Sequence, residues 1–264
     1  MRHTTGESMT DDMPTLQRRR VLRSVGAAAI GASLAGCTGL GALAGDDDGG
    51  PEDVVLGPPE NQDRREDIDL PYPTYGESLP AVTVGAPIQD RQLSTREFVG
   101  ERHVVMTFIY TSCQTVCPGL TAALRRVQAD SVAEGYAGEV AFLPTTFDPA
   151  YDTREVLAEY GESMGVNDEP GNWFFLRPEG PERAREVVDE TFGVAFERSA
   201  AEGDGDGGSA DGGGGEHASD DRMFVHSALI LIANADGVVE RAYTGGPPTA
   251  GTLTENVRTI VDEW

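Results

Sequence analysis

Val104-Val105-Met106-Thr107-Phe108-Ile109-Tyr110 runs directly into Thr111-Ser112-Cys113-Gln114-Thr115-Val116-Cys117-Pro118. The first seven residues are apolar, β-branched or aromatic without polar alternation, the pattern of a central strand covered on both faces. Pro118 to Glu134 then places Leu120, Ala123, Leu124 and Val127 at helical spacing, with Pro118 suited to a first-turn position. The stretch therefore predicts a buried strand, a turn carrying two cysteines, and a helix.

Working outward, Val140 to Phe147 reads as a second strand, Thr153 to Met164 as a helix, Trp173 to Leu176 as a third strand and Pro181 to Thr191 as a further helix. Ser227 to Ala233 and Val238 to Tyr243 are joined by Asn234-Ala235-Asp236-Gly237, a hairpin signal because Gly tolerates positive φ. Thr249 to Asp262 closes the chain as a helix. This β-α-β-α-β order with a C-terminal β-hairpin and helix predicts an α/β fold, a thioredoxin-like sandwich with helices flanking a central mixed sheet.

The chain has 264 residues and a formal charge of −25, from 20 basic and 45 acidic side chains. So acidic a protein repels the phosphate backbone, which excludes nucleic-acid binding and disfavours an anionic lipid surface. Every basic residue is Arg, a bias that with the acidic excess resembles adaptation to very high salt. Arg18-Arg19-Arg20-Val21-Leu22-Arg23 has the twin-arginine pattern, and the uncharged span Ser24 to Gly36 is too short to cross a bilayer, which takes ~20 residues. It ends in Leu34-Ala35-Gly36-Cys37, which resembles a lipoprotein signal box with Cys37 as the lipid anchor. Residues 1–36 are thus expected to be an export signal, placing the rest on the extracytoplasmic face of the cell membrane. Residues 37–78, acidic and without helical or strand period, read as a flexible tether. Residues 79–264 form one domain, interrupted at 199–221 by an insertion with eight Gly and seven acidic residues that reads as disordered.

With Cys37 assigned to the anchor, Cys113 and Cys117 remain as an exported pair. Their C-x3-C spacing puts the sulfurs about one helical turn apart, so they converge on one ion or bridge each other. A helix N-terminus lowers a thiol pKa and favours thiolate. An ordinary disulfide is the plain reading of an exported pair, although closing so short a loop constrains little of the unfolded chain. A metal held by two sulfurs needs a further ligand. His3 leaves with the signal, His103 lies at the end of the central strand away from the cysteines, and His217 lies in the insertion. His226 is left, at the entry to the expected strand Ser227 to Ala233. Soft thiolates select Cu(I) and an added imidazole also suits Cu(II), so Cys113, Cys117 and His226 would suit copper in either state; Zn(II) usually wants a fourth ligand.

Three segments, Phe108 to Pro118, Phe147-Asp148-Pro149-Ala150-Tyr151-Asp152-Thr153 and Val225-His226-Ser227, resemble the SCO/SenC family, tethered thioredoxin-like copper proteins of cytochrome c oxidase assembly, here as a lipoprotein of haloarchaeal type. The resemblance spans Ala81 to Trp264. It implies that Cys113, Cys117 and His226 ligate copper as Cu(I) or Cu(II), that the copper passes to the binuclear copper A subunit of a membrane-bound terminal oxidase, and that the protein is a metallochaperone more than an enzyme. Val225 stands where the family carries an Asp, which puts a carboxylate partner for the imidazole in doubt and leaves Asp220 or Asp221 to supply one. Asp148 reads as a turn residue ahead of the helix at Thr153 rather than a ligand.

The alternative is a thiol–disulfide oxidoreductase in which Cys113 and Cys117 are the catalytic redox pair, reducing the cysteines of the same oxidase subunit. Reductases of thioredoxin type usually carry C-x-x-C and a Pro opposite it, and Met223 to Ala233 contains no Pro. A peroxiredoxin-like peroxidase would need Thr three residues before its reactive cysteine, where this chain has Tyr110 and Gln114.

Overall fold

The computed structural model describes residues 53–60, 62, 68–198, 224–249 and 251–264. The expected signal at 1–36, Cys37 and the insertion at 199–221 lie outside the described residues. Among the described residues no helix is long and apolar enough to cross a membrane.

A short hairpin, β1 (Thr83–Ala86) and β2 (Arg91–Ser94), precedes β3 (His103–Ile109). After β3 come α1 (Cys117–Glu134), β4 (Val140–Thr146), α2 (Arg154–Met164) and α3 (Pro181–Ala184), which continues as a π-helical segment over Arg185–Thr191. The two-stranded ribbon β5 (Phe196–Arg198) and β6 (Phe224–His226) leads to β7 (Leu229–Ala233), β8 (Val239–Thr244) and α4 (Thr252–Glu263). The main sheet has the order β4-β3-β7-β8, with β3 parallel to β4 and antiparallel to β7, as the expected mixed sheet requires. All residues of β3 and β4 are buried, which is why neither strand shows polar alternation. α1 buries Leu120, Ala123, Leu124 and Val127 and packs on β3, β4, α2 and α4. Phe108 meets Phe192 at 5.1 Å between ring centroids, so the chain following α3 covers the Phe108 side of β3.

Two elements differ from expectation. Trp173 to Leu176 lies along β4 but makes only two separate parallel bridges, Phe142↔Trp173 and Thr145↔Leu176. The reason is Pro144. The Phe142 amide donates to Asn172, the Phe174 amide to Phe142, the Leu176 amide to Pro144 and the Thr146 amide to Leu176, all at 2.8–2.9 Å. The bond that would continue the ladder, from residue 144 to the Phe174 carbonyl, needs an N–H that proline lacks. The second difference is His226, which ends β6 in a ribbon of its own instead of leading straight into the expected strand Ser227 to Ala233; β7 begins at Leu229.

The stretch expected to be a tether is docked where it is described. The Val55 and Leu56 amides donate to the buried Glu240 carboxylate at 2.8 and 2.9 Å, and the Tyr75 hydroxyl donates to the Leu56 carbonyl at 2.7 Å. The Asn234 side-chain amide donates to both Glu240 and the Asp53 carbonyl at 2.7 Å. Gly193, at φ 65°, admits this segment, since a Cβ there would sit 2.1 Å from the Pro71 carbonyl oxygen. The acidic composition of residues 46–69 concealed the few apolar and backbone groups that make this contact.

Candidate metal centre

β3 ends at Ile109 and the chain turns through Tyr110 to Val116 before α1 begins at Cys117, so both cysteines lie at a strand-to-helix junction. The Cys113 amide donates to the Tyr110 carbonyl at 3.2 Å, which folds the turn back on the strand. α1 has no capping side chain at its N-terminus, and Pro118 occupies its first turn. The unsatisfied amides there leave partial positive charge beside the sulfurs. Cys113 and Cys117 are free and buried.

Register brings in the histidine. His226 pairs with Phe196 in the β5–β6 ribbon, and its Nε2 lies 3.6 Å from Cys117 Sγ. The ligand atoms of Cys113, Cys117 and His226 all lie within 4.8 Å of one another, and no other such group of His, Cys and acidic side chains occurs among the described residues. His226 Nδ1 is 3.1 Å from the Ser227 carbonyl oxygen. A carbonyl only accepts, so this contact assigns the ring proton to Nδ1 and leaves the Nε2 lone pair for the sulfur side. The imidazole lies against two aromatic rings, Tyr110 at 5.8 Å and Phe147 at 5.0 Å between centroids.

The two thiols are inequivalent. Hydrogen bonding from Cys117 holds the Cys113 thiol well below its ordinary pKa; burial opposes the shift, and Thr115 adds to it. The same pairing, together with burial, pushes Cys117 upward. The two sulfurs share one proton and titrate as a pair, with Cys113 the readier to carry the charge. Two thiolates and an imidazole at such separations suit a soft ion, and the donor set fits copper.

Asp148 behaves as the turn residue expected. Its carbonyl accepts from the Tyr151 and Asp152 amides at 3.1 and 2.9 Å, and its carboxylate lies 3.5 Å from Arg198. Val225 is 72% exposed. Asp220 and Asp221 lie outside the described residues. His103 is buried at the far end of β3, where its Nδ1 accepts from the Ala235 amide at 3.0 Å.

One residue of the site region had no expected role. Asp152 is fully buried and accepts from the Thr111 amide and hydroxyl and from the Thr146 hydroxyl, tying the cysteine turn to the end of β4. Burial pushes its pKa up to about 6, against the opposing hydrogen bonds from Thr111 and Thr146.

Residues 88–262 match the SCO1/SenC family model. Among solved structures, the chain is similar to a SCO1/SenC family lipoprotein of Bacillus anthracis, with 18% identity, TM-score 0.53, and coverage of 74% of this chain and 99% of that one. It is similar to BsSco, described as a member of the Sco family of cytochrome c oxidase assembly proteins with a disulfide switch, at 19% identity, TM-score 0.50, and coverage of 71% and 94%. Yeast Sco1 with copper bound matches at 16% identity and TM-score 0.51, over 71% of this chain and 91% of that one. These likenesses concern the thioredoxin-like fold. A comparison with curated proteins finds no match.

Proposed function

Because this chain belongs to the SCO1/SenC family, we propose that it receives copper and delivers it to the copper A subunit of a membrane-bound terminal oxidase. A lipid on Cys37 would hold it at the extracytoplasmic face after twin-arginine export. The observation that carries the reading is the convergence of Cys113, Cys117 and His226 within 4.8 Å. Copper is the cargo. Cys113 and Cys117 supply charge and softness, and His226 supplies the third donor that accommodates Cu(II) as well as Cu(I). Delivery needs no bond chemistry on the protein: an incoming ligand of the recipient replaces one donor at a time, and each thiolate released is free to regain a proton.

Loading is gated by redox state, since a Cys113–Cys117 disulfide offers no thiolate. The test is an anaerobic copper titration of the reduced full chain in molar KCl, beside Cys113→Ser and His226→Ala. One tightly held copper per chain is expected, with thiolate-to-Cu(II) charge transfer that vanishes in Cys113→Ser. His226→Ala should lose most Cu(II) affinity and keep its dithiol chemistry. Undiminished Cu(II) binding in His226→Ala would remove that residue from the site.

A second reading is favoured by the unequal thiols. Thiolate Cys113 attacks a disulfide of the oxidase subunit and displaces one of its sulfurs. Cys117 then resolves the mixed disulfide, leaving Cys113–Cys117 oxidised and the recipient's two cysteines reduced. No retained copper, with rapid disulfide exchange instead, would select this reading.

A further inference from the structure

Metal-binding imidazoles are commonly oriented by a carboxylate on their second nitrogen. Among the described residues His226 has no such carboxylate; its Nδ1 faces the Ser227 carbonyl, and Val225 beside it is turned to solvent. The ring is nevertheless closely held. Tyr110 follows the last residue of β3 and Phe147 the last residue of β4, and these adjacent parallel strands bring both rings to the β6 ribbon. Phe147 approaches the imidazole at 53° and stacks on Phe196, the cross-strand partner of His226, at 4.9 Å. Tyr110 meets the imidazole edge-on at 85° and packs on Phe224 at 5.1 Å. The Tyr110 hydroxyl also accepts from the Phe224 amide at 3.3 Å, fastening the ribbon two residues before the histidine. Both rings are buried.

We propose that Tyr110 and Phe147 are positioning residues that hold the His226 imidazole toward Cys113 and Cys117 by ring packing. The proposal rests on the copper reading for its consequence but not for its geometry. Packed rings restrict rotation of the imidazole, so the third ligand is ordered before the metal arrives. Cu(II), which needs the nitrogen donor, depends on that ordering; Cu(I), satisfied by two thiolates, depends on it much less.

The test uses the full chain with Tyr110→Phe, Tyr110→Leu and Phe147→Leu. Tyr110→Phe keeps the ring and should bind Cu(II) within about threefold of the parent. Tyr110→Leu and Phe147→Leu should lose at least tenfold in Cu(II) affinity with a shifted thiolate charge-transfer band, while Cu(I) affinity and disulfide exchange stay within about threefold. Parental Cu(II) binding in both Leu variants overturns the proposal. Equal losses of Cu(II), Cu(I) and disulfide exchange overturn it as well, by showing that the rings only hold the fold. Nitrogen-15 NMR of the metal-free chain separates this from the copper reading: one His226 ring environment with the proton on Nδ1 is expected in the parent and an averaged one in Phe147→Leu. Averaged signals in the parent sink the clamp whatever copper does, and an ordered ring in a chain that holds no copper sinks only the copper reading.

Discussion

His103 and Asp152 are buried ionisable groups that titrate in opposite senses across one window. Burial lowers His103 to about 4, against the pull of Asp236. The unfolded chain takes that proton near 6.5, so the stability from neutral His103 is present above pH 6.5 and lost as pH falls toward 4, about 3 kcal/mol in all. Asp152 is raised to about 6 by burial. Its contribution is fully present below the unfolded value near 3.9 and lost as pH rises through 6, a change of similar size. In the parent the two slopes offset. Asp152→Asn removes one of them, so its urea midpoint should fall more steeply than the parent's between pH 6.5 and 4. Parallel curves for variant and parent would contradict the Asp152 shift. The sequence displayed Cys113, Cys117 and His226 because their side-chain chemistry is rare and their segments distinctive. Asp152 stood in a quoted segment without a role, because its partner Thr111 is 41 residues away and only the parallel β3–β4 pairing joins them.

Pro144 shows how one missing proton shapes an element. With an N–H restored by Pro144→Val, the strip 173–176 should pair continuously with β4, and the new amide should exchange slowly in a hydrogen–deuterium experiment. The net gain should be about 0.5–1.5 kcal/mol, less any strain from the larger side chain. Rapid exchange at position 144 would mean that another constraint splits the ladder. The principal strands and helices were legible from period alone because β3, β4 and β7 are covered on both faces and α1 buries one stripe. The β5–β6 ribbon was not. Three residues carry no measurable period, and its two strands stand 25 residues apart in the chain, so the apolar Phe196, Phe224 and half-buried His226 gave no sign that they face one another.

Over the whole molecule, the domain begins earlier than its composition suggests. A chain starting at Leu79 leaves the Glu240 carboxylate without the Val55 and Leu56 amides and strips Leu56 from its site. Loss of Leu56 burial alone should cost about 1.5–3 kcal/mol. The 79–264 fragment should therefore unfold at lower denaturant than 48–264, and equal midpoints would show the docked segment to be idle. Gly193→Ala attacks a separate contact of the N-terminal stretch, the one at Pro71. Its Cβ has no room beside Pro71 at that positive φ, so it should release the segment and raise proteolysis near Pro71.

The docking of Asp53 to Gly57 also bears on the proposed lipid anchor. With the proposed lipid on Cys37, the chain length between the anchor and Asp53 is 16 residues, against 42 to Leu79, a reach of at most about 58 Å instead of about 150 Å. Such an anchor would confine the candidate metal centre to a shallow layer above the lipid headgroups, where its effective concentration toward a recipient in the same membrane would rise as the layer thins. Lengthening the segment between residues 37 and 53 should slow delivery while leaving copper affinity untouched.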